Sequence, residues 1–182
     1  MADGLYWSGG DELANEELRR LVNEAIALEL NASRLYALFQ ELFPEDALLW
    51  QTLSIEEENH AALLKNGRRH FLPQGIFPRE LLPDSLEPLV EKNRELERLL
   101  VIFEQAPPSR RQAFLLAIEL EEAAGEVHFQ RAMASVANSQ ALKVFQLLNK
   151  DDRDHAARLC AYMADNGMAG VAAPTPGSAP ER

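Results

Sequence analysis

Two short sequences, 95 residues apart, each combine a carboxylate with a histidine three residues later. The first runs from Glu57 to His60 and the second from Asp152 to His155. Residues three apart project from the same face of an α-helix, so each carboxylate and its imidazole can bind one ion together. Oxygen and imidazole ligands without a thiolate are typical of iron or manganese sites, in which zinc can replace either metal. The two pairs therefore predict a metal centre.

Two further glutamates, one upstream of each pair, lie on the apolar faces of predicted helices. Glu29 shares its face with Ala25, and Glu121 shares its face with Ile118. Burying an ionised carboxylate is costly unless it is paired or binds a metal, so both are candidate ligands. Four carboxylates in one site would match the charge of two divalent cations. The predicted metal ligands are Glu29, Glu57, His60, Glu121, Asp152 and His155.

The chain contains an internal repeat that includes these ligands. Residues 25–36 (AIALELNASRLY) align without a gap with residues 117–128 (AIELEEAAGEVH). Residues 53–64 (LSIEEENHAALL) align in the same way with residues 148–159 (LNKDDRDHAARL). The two alignments have offsets of 92 and 95 residues. The turn between the two helices of each half therefore differs in length by only three residues. The repeat predicts two similar helical hairpins.

Apolar residues at three- and four-residue steps predict an all-α protein. The long helices are expected over residues 12–41, 45–71, 109–137 and 139–165. Ser109 is the expected cap of the third helix, and Asn138 or Ser139 that of the fourth. The Pro-rich connection should contain a further helix, capped by Asp84 or Ser85 and continuing to Glu104. This pattern favours a four-helix bundle built from two repeated hairpins joined by one crossover.

Composition limits the domain organisation and the function classes. With 182 residues, the chain can bury one substantial core. We expect an N-terminal extension over residues 1–11, a bundle domain over residues 12–166 and a flexible tail over residues 167–182. A net charge of −11 argues against nucleic acid or an anionic membrane as the main partner. The single cysteine and the absence of a secretory signal pattern favour a cytoplasmic protein.

Over residues 12–165 the chain resembles the ferritin-like superfamily, and most closely the rubrerythrin-type diiron domains. The resemblance rests on the order Glu, Glu-x-x-His, Glu and carboxylate-x-x-His along four helices. It implies that the six predicted ligands hold two Fe ions. It also implies a catalytic role for Tyr36, seven residues after Glu29, because such domains often place a tyrosine beside the metals.

The sequence departs from the rubrerythrin pattern at three points. Asp152 stands where a glutamate is usual, and its side chain is shorter by one methylene group. Ala124 stands where rubrerythrins carry an additional glutamate, so we expect weaker peroxidase turnover than in complete rubrerythrins. One cysteine cannot form the four-cysteine iron site of a rubredoxin module, so any electron donor must be a separate protein.

The resemblance implies a non-haem diiron oxidoreductase that uses O2 or peroxide to oxidise ferrous iron, and it implies a homodimer. Two alternatives remain open: iron binding or storage without turnover, and a structural site for this or another metal. Glu122 is the alternative to Glu121, although the gapless alignment with Glu29 favours Glu121. His128 is a seventh ligand, a hydrogen-bond donor to a ligand, or a core histidine.

Overall fold

The computed structural model describes residues 9–149 and 155–168. These residues form seven α-helices connected by turns and short 3-10 helices, without a β-strand, and the all-α prediction is confirmed. The helices are α1 (Gly9–Leu42), α2 (Ala47–His70), α3 (Glu87–Gln105), α4 (Arg110–Glu121), α5 (Ala124–Ala134), α6 (Gln140–Leu148) and α7 (His155–Asp165). Asp152, most of the predicted N-terminal extension and nearly all of the predicted tail lie outside the described residues.

The first predicted hairpin is present as α1 and α2, which pack along each other. The 3-10 turn Pro44–Asp46 connects them, because proline lacks the N–H needed to continue a helix. The rings of Phe39 and Trp50 meet edge to face across the hairpin, with centroids 5.1 Å apart. On another side of α1 lies α3, and Asn31 Nδ2 donates a hydrogen bond of 3.0 Å to Asn93 Oδ1.

The start of α3 differs from the prediction. Neither Asp84 nor Ser85 caps it, since Leu86 occupies the N-cap position without a side-chain hydrogen bond. Pro88 lies in the first turn, where its missing N–H costs nothing and its fixed φ suits the helix. The extra helix in the crossover is nevertheless present and extends to Gln105, one residue beyond the predicted end.

The predicted third helix is divided into two. Ser109 begins α4 as predicted, through a capping box with Gln112. The helix then ends at Glu121, and Ala123 adopts an extended conformation with ψ of 159° before α5 begins. Gly125 follows the break and has a low helix propensity, which makes one unbroken helix through this region less favourable. The prediction of one helix over residues 109–137 is therefore wrong at Glu122 and Ala123.

The predicted fourth helix is also interrupted. Ser139 caps α6 by accepting a hydrogen bond of 3.1 Å from the backbone N–H of Leu142. Asn149 leaves the helical conformation, with ψ of 18°, so α6 ends at Leu148. Asparagine favours such positions because its side chain competes for backbone hydrogen bonds. The next described helix is α7, which begins at His155.

Close packing joins these helices into a core. Phe114 on α4 stacks on Tyr162 on α7, with ring centroids 5.5 Å apart. Gly67 lets α2 approach α6, because a Cβ at this position would clash with the ring of Phe145. Contacts with α3 and with the 3-10 turn Arg79–Leu81 hold α5 in place. In the described part of the chain, no helix has the length and apolar character needed to cross a bilayer.

Candidate metal centre

Five of the six predicted ligands meet in the interior of the protein. They are contributed by α1, α2, α4 and α7. They are buried, with exposed fractions of at most 7%. Glu57 and His60 lie one turn apart on α2, whereas Glu121 ends α4 and His155 begins α7. The sixth predicted ligand, Asp152, lies outside the described residues. The residues brought together are Glu29, Glu57, His60, Glu121 and His155.

The first group of ligands comes from the α1–α2 hairpin. His60 Nδ1 lies 3.1 Å from Glu57 Oε2 and 3.7 Å from Glu29 Oε2. The imidazole packs against the ring of Phe129 on α5, with ring centroids 4.8 Å apart. One face of the imidazole is thus held by an apolar contact while Nδ1 is directed at two carboxylates.

The second group joins α2 to the other half of the chain. His155 Nδ1 lies 2.8 Å from Glu57 Oε1 and 3.3 Å from Glu121 Oε2. The two oxygens of Glu57 therefore face different histidines. The imidazoles of His60 and His155 stack with centroids 5.6 Å apart and an interplanar angle of 12°. This arrangement is two three-residue groups that share one carboxylate, which is the geometry expected of a bridging ligand.

Burial and hydrogen bonds act against each other on the pKa values of the three glutamates. Desolvation raises the pKa of Glu29 from 4.5 to about 8. Desolvation also raises the pKa of Glu121, and the negative charge of Glu57 acts in the same direction. Desolvation of Glu57 is outweighed by hydrogen bonds with His155 and His60, which lower its pKa to about 2. Without a cation, the site therefore disfavours three ionised carboxylates at once.

The donor set fits a metal ion. Within each three-residue group, the potential ligand atoms all lie within 4.8 Å of one another. Two ligands about 2.0–2.2 Å from one cation are separated by at most about 4.4 Å, so the imidazole–carboxylate distances are compatible with shared coordination. Glu29, Glu57 and Glu121 border a cavity of about 10 Å³, which has room for roughly one water-sized particle. A second cation would require the side chains to move slightly apart.

Glu56 contacts the site from outside, and sequence spacing did not identify it. Its Oε2 lies 3.4 Å from His155 Nε2 and accepts a hydrogen bond of 2.6 Å from Arg158 Nη1. A carboxylate at the second ring nitrogen fixes the orientation of a ligating histidine and its tautomer. With a metal bound, this contact would keep the proton on Nε2 and leave the Nδ1 lone pair for the metal. Because 102 residues separate Glu56 from Arg158, no local pattern could reveal this contact.

Tyr36 lies beside the predicted ligands. Its hydroxyl donates a short hydrogen bond to Glu121 Oε1, and its ring stacks on Trp50 with centroids 5.8 Å apart. Of the two candidates on α4 and its C-cap, Glu121 is buried in the site and Glu122 is exposed. His128 is half-buried and belongs to neither group of ligands among the described residues.

Comparisons with known proteins add no relative: no protein-family model matches the sequence, and neither curated proteins nor solved structures give a significant match. The function is therefore inferred from the residues and their geometry.

Proposed function

We propose that this chain is a ferritin-like dimetal protein that binds two iron ions. One ion would be held by Glu29, Glu57 and His60, and the other by Glu57, Glu121 and His155. Asp152 is the proposed sixth ligand. Manganese or zinc suits the same oxygen and nitrogen donors, so either metal can substitute for iron.

One observation carries this proposal: three glutamates are buried together against two histidines, with no Lys or Arg partner among the described residues. Within the described part of the chain, no Lys or Arg forms an ion pair with Glu29, Glu57 or Glu121. Burying such charges is prohibitive unless they are neutralised by protons, by paired side chains or by metal ions. Divalent cations would remove the repulsion that raises the pKa of Glu121.

The proposed activity is the oxidation of ferrous iron by O2 or a peroxide. Bound iron would supply the electrons, by changing between the ferrous and ferric states. The protein contributes ligand geometry and a dry site, since Glu57 faces both halves of the centre and all five ligands are buried. Tyr36 orients Glu121 and carries a proton at its hydroxyl next to that carboxylate. The cavity of about 10 Å³ admits a small oxidant more readily than an organic substrate.

The same small cavity supports a second candidate function, the binding or storage of iron without turnover. A closed site surrounded by ligands can retain a metal without reacting further. Stopped-flow mixing of the anaerobic ferrous protein with O2 or peroxide separates the two. Enzymatic oxidation is expected to produce ferric absorption in the near ultraviolet faster than free ferrous iron does in the same buffer. Equal rates would leave passive binding as the function.

Removing both histidine ligands tests the centre itself. We expect the double variant His60→Ala, His155→Ala to lose at least about 90% of its bound iron, since each ligand set would lack its nitrogen donor. Metal analysis after expression with excess iron measures this, and circular dichroism checks that helical content is retained. The matched control changes the other two histidines, His70→Ala and His128→Ala, and should keep its iron. Full metal content in the first double variant would disprove the centre.

A further inference from the structure

A second, larger cavity of about 820 Å³ lies at the surface between α1, α3 and the end of α4. Helix α3 supplies one wall, including Lys92 and Glu95, and the end of α4 supplies another, including Glu119 and Glu122. This cavity is open to solvent and contains none of the predicted ligands.

Leu28 separates this outer cavity from the metal centre. Its side chain borders the outer cavity and also the inner cavity formed with Glu29, Glu57 and Glu121. Leu28 is 5% exposed, so its side chain is packed inside the protein. The two cavities also lie beside successive residues of the chain, since Glu121 lines the inner cavity and Glu122 lines the outer one. Leu28 is therefore a residue common to the walls of both cavities.

The outer cavity has features that favour cations. Lys92 is paired with Glu95 at 2.7 Å and lies 3.7 Å from Glu119, so its charge is compensated. Arg94 and Arg98 also line this cavity, so its walls carry four acidic and three basic side chains, a net charge of −1. At this point α4 ends and α5 begins, with the N-cap Ala123 on the cavity wall, so the partial negative charge of one helix end lies beside the partial positive charge of the other. The break after Glu121 directs this end of α4 towards both cavities.

We propose that divalent cations reach the metal centre through this outer cavity, with Glu122 as an outer acceptor and Leu28 as the barrier that controls the rate. This inference rests on the proposed function, because it requires metal to bind at the inner carboxylates. To that function it adds an entry route for the metal, in which Leu28 and Glu122 act before the metal reaches its ligands. Neither residue is a ligand in the final site, so both should affect the rate of loading and not the amount of metal bound.

Cobalt(II) is a suitable probe, because its binding is followed by visible absorption in stopped-flow experiments without a redox reaction. We expect Leu28→Ala to load about tenfold faster than the unaltered chain, corresponding to a barrier lower by about 1.4 kcal/mol. Leu28→Phe should load more slowly, since a larger side chain fills the same space. The final cobalt content should be the same in both variants. Leu30→Ala is the matched control on α1, because Leu30 lines neither cavity.

Reversing the charge of Glu122 provides an independent test. Glu122 is exposed, so this substitution should leave the fold intact. We expect Glu122→Lys to load roughly three- to tenfold more slowly at low salt, with the difference shrinking at high salt as charges are screened. Glu58→Lys is the control, because Glu58 is also exposed but lines neither cavity.

The outcomes separate the route from the site. Full cobalt content with unchanged loading rates in Leu28→Ala and Glu122→Lys would overturn the route and leave the proposed function intact. Failure of the unaltered chain to bind cobalt or iron would overturn both. If the Leu28 variants do not fold, the rate of Glu122→Lys and its salt dependence decide the matter.

Discussion

Two regions of this molecule bury carboxylates, and they neutralise them differently. Near the α1–α2 turn, the side chain of Asp46 is fully buried and accepts hydrogen bonds of 2.7 and 2.6 Å from Arg110 Nε and Nη2. Tyr162 donates a further hydrogen bond of 2.9 Å to the same carboxylate. In the glutamate cluster, the partners recorded among the described residues are histidines and a tyrosine.

The difference is our reason for expecting a structural role in the first region and a binding role in the second. The guanidinium of Arg110 compensates Asp46 permanently, and this hydrogen bond raises the pKa of Arg110 above its usual range. Burial raises the pKa of Tyr162, and its hydrogen bond to Asp46 acts in the same direction. By contrast, no Arg or Lys in the described part of the chain pairs with Glu29 or Glu121, and burial raises the pKa of both carboxyl groups. The first region connects α4 and α7 to the first hairpin, whereas the second is the proposed metal site.

The largest expected effect comes from removing the internal cation. Arg110→Ala would leave Asp46 buried without its charge partner, and we expect the free energy of unfolding to fall by about 3 kcal/mol. Urea denaturation measures this loss. The control is Arg19→Ala, which removes an exposed ion pair of 3.6 Å with Glu16 and should change stability by less than about 0.5 kcal/mol. Equal losses in the two variants would show that Asp46 does not depend on Arg110.

The metal-free glutamate cluster should make stability depend on pH. Because the pKa of Glu29 is raised from 4.5 to about 8, the folded state holds a proton that the unfolded state has lost between these values. Stability should therefore fall as the pH rises through this range. Glu57, with a pKa lowered to about 2, contributes stability that is already complete above pH 4.5.

Denaturant unfolding with a chelator present, at several pH values, measures this slope. Glu29→Gln should make the decline of stability with pH less steep, because glutamine does not titrate. Saturating divalent metal should abolish this decline by replacing the proton. An equally steep decline in Glu29→Gln would mean that another group is responsible. Arg110 stays protonated over this range, so the charge that compensates Asp46 does not change.

The smallest effect concerns the contact between Glu56 and His155. Glu56→Gln should weaken metal affinity about tenfold, because the amide orients the imidazole less strongly than the carboxylate does. Competition with a chelator of known affinity measures the change, and Glu58→Gln is the control on an exposed neighbouring position. An unchanged affinity would show that the ring is held by packing alone. A complete loss of metal would instead place Glu56 among the ligands.

The sequence by itself determined the helical class and the set of candidate ligands. Apolar residues at helical spacing and capping residues such as Ser109 act locally, so they could be recognised along the chain. The carboxylate–histidine spacing in Glu57 and His60 is equally local, and the repeat placed Glu121 opposite Glu29. The proposed bound metals and the activity remain predictions.

Only the tertiary structure decided which of these residues meet and how each is held. The hydrogen bond from Tyr36 to Glu121 joins residues 85 apart, and the Asp46–Arg110 pair joins residues 64 apart. The interruptions after Glu121 and Leu148 also were not foreseen, because apolar periodicity continues through them while backbone conformation changes. Contacts between distant segments depend on the packing of whole helices, and this packing alone places Leu28 between the solvent-exposed cavity and the carboxylates.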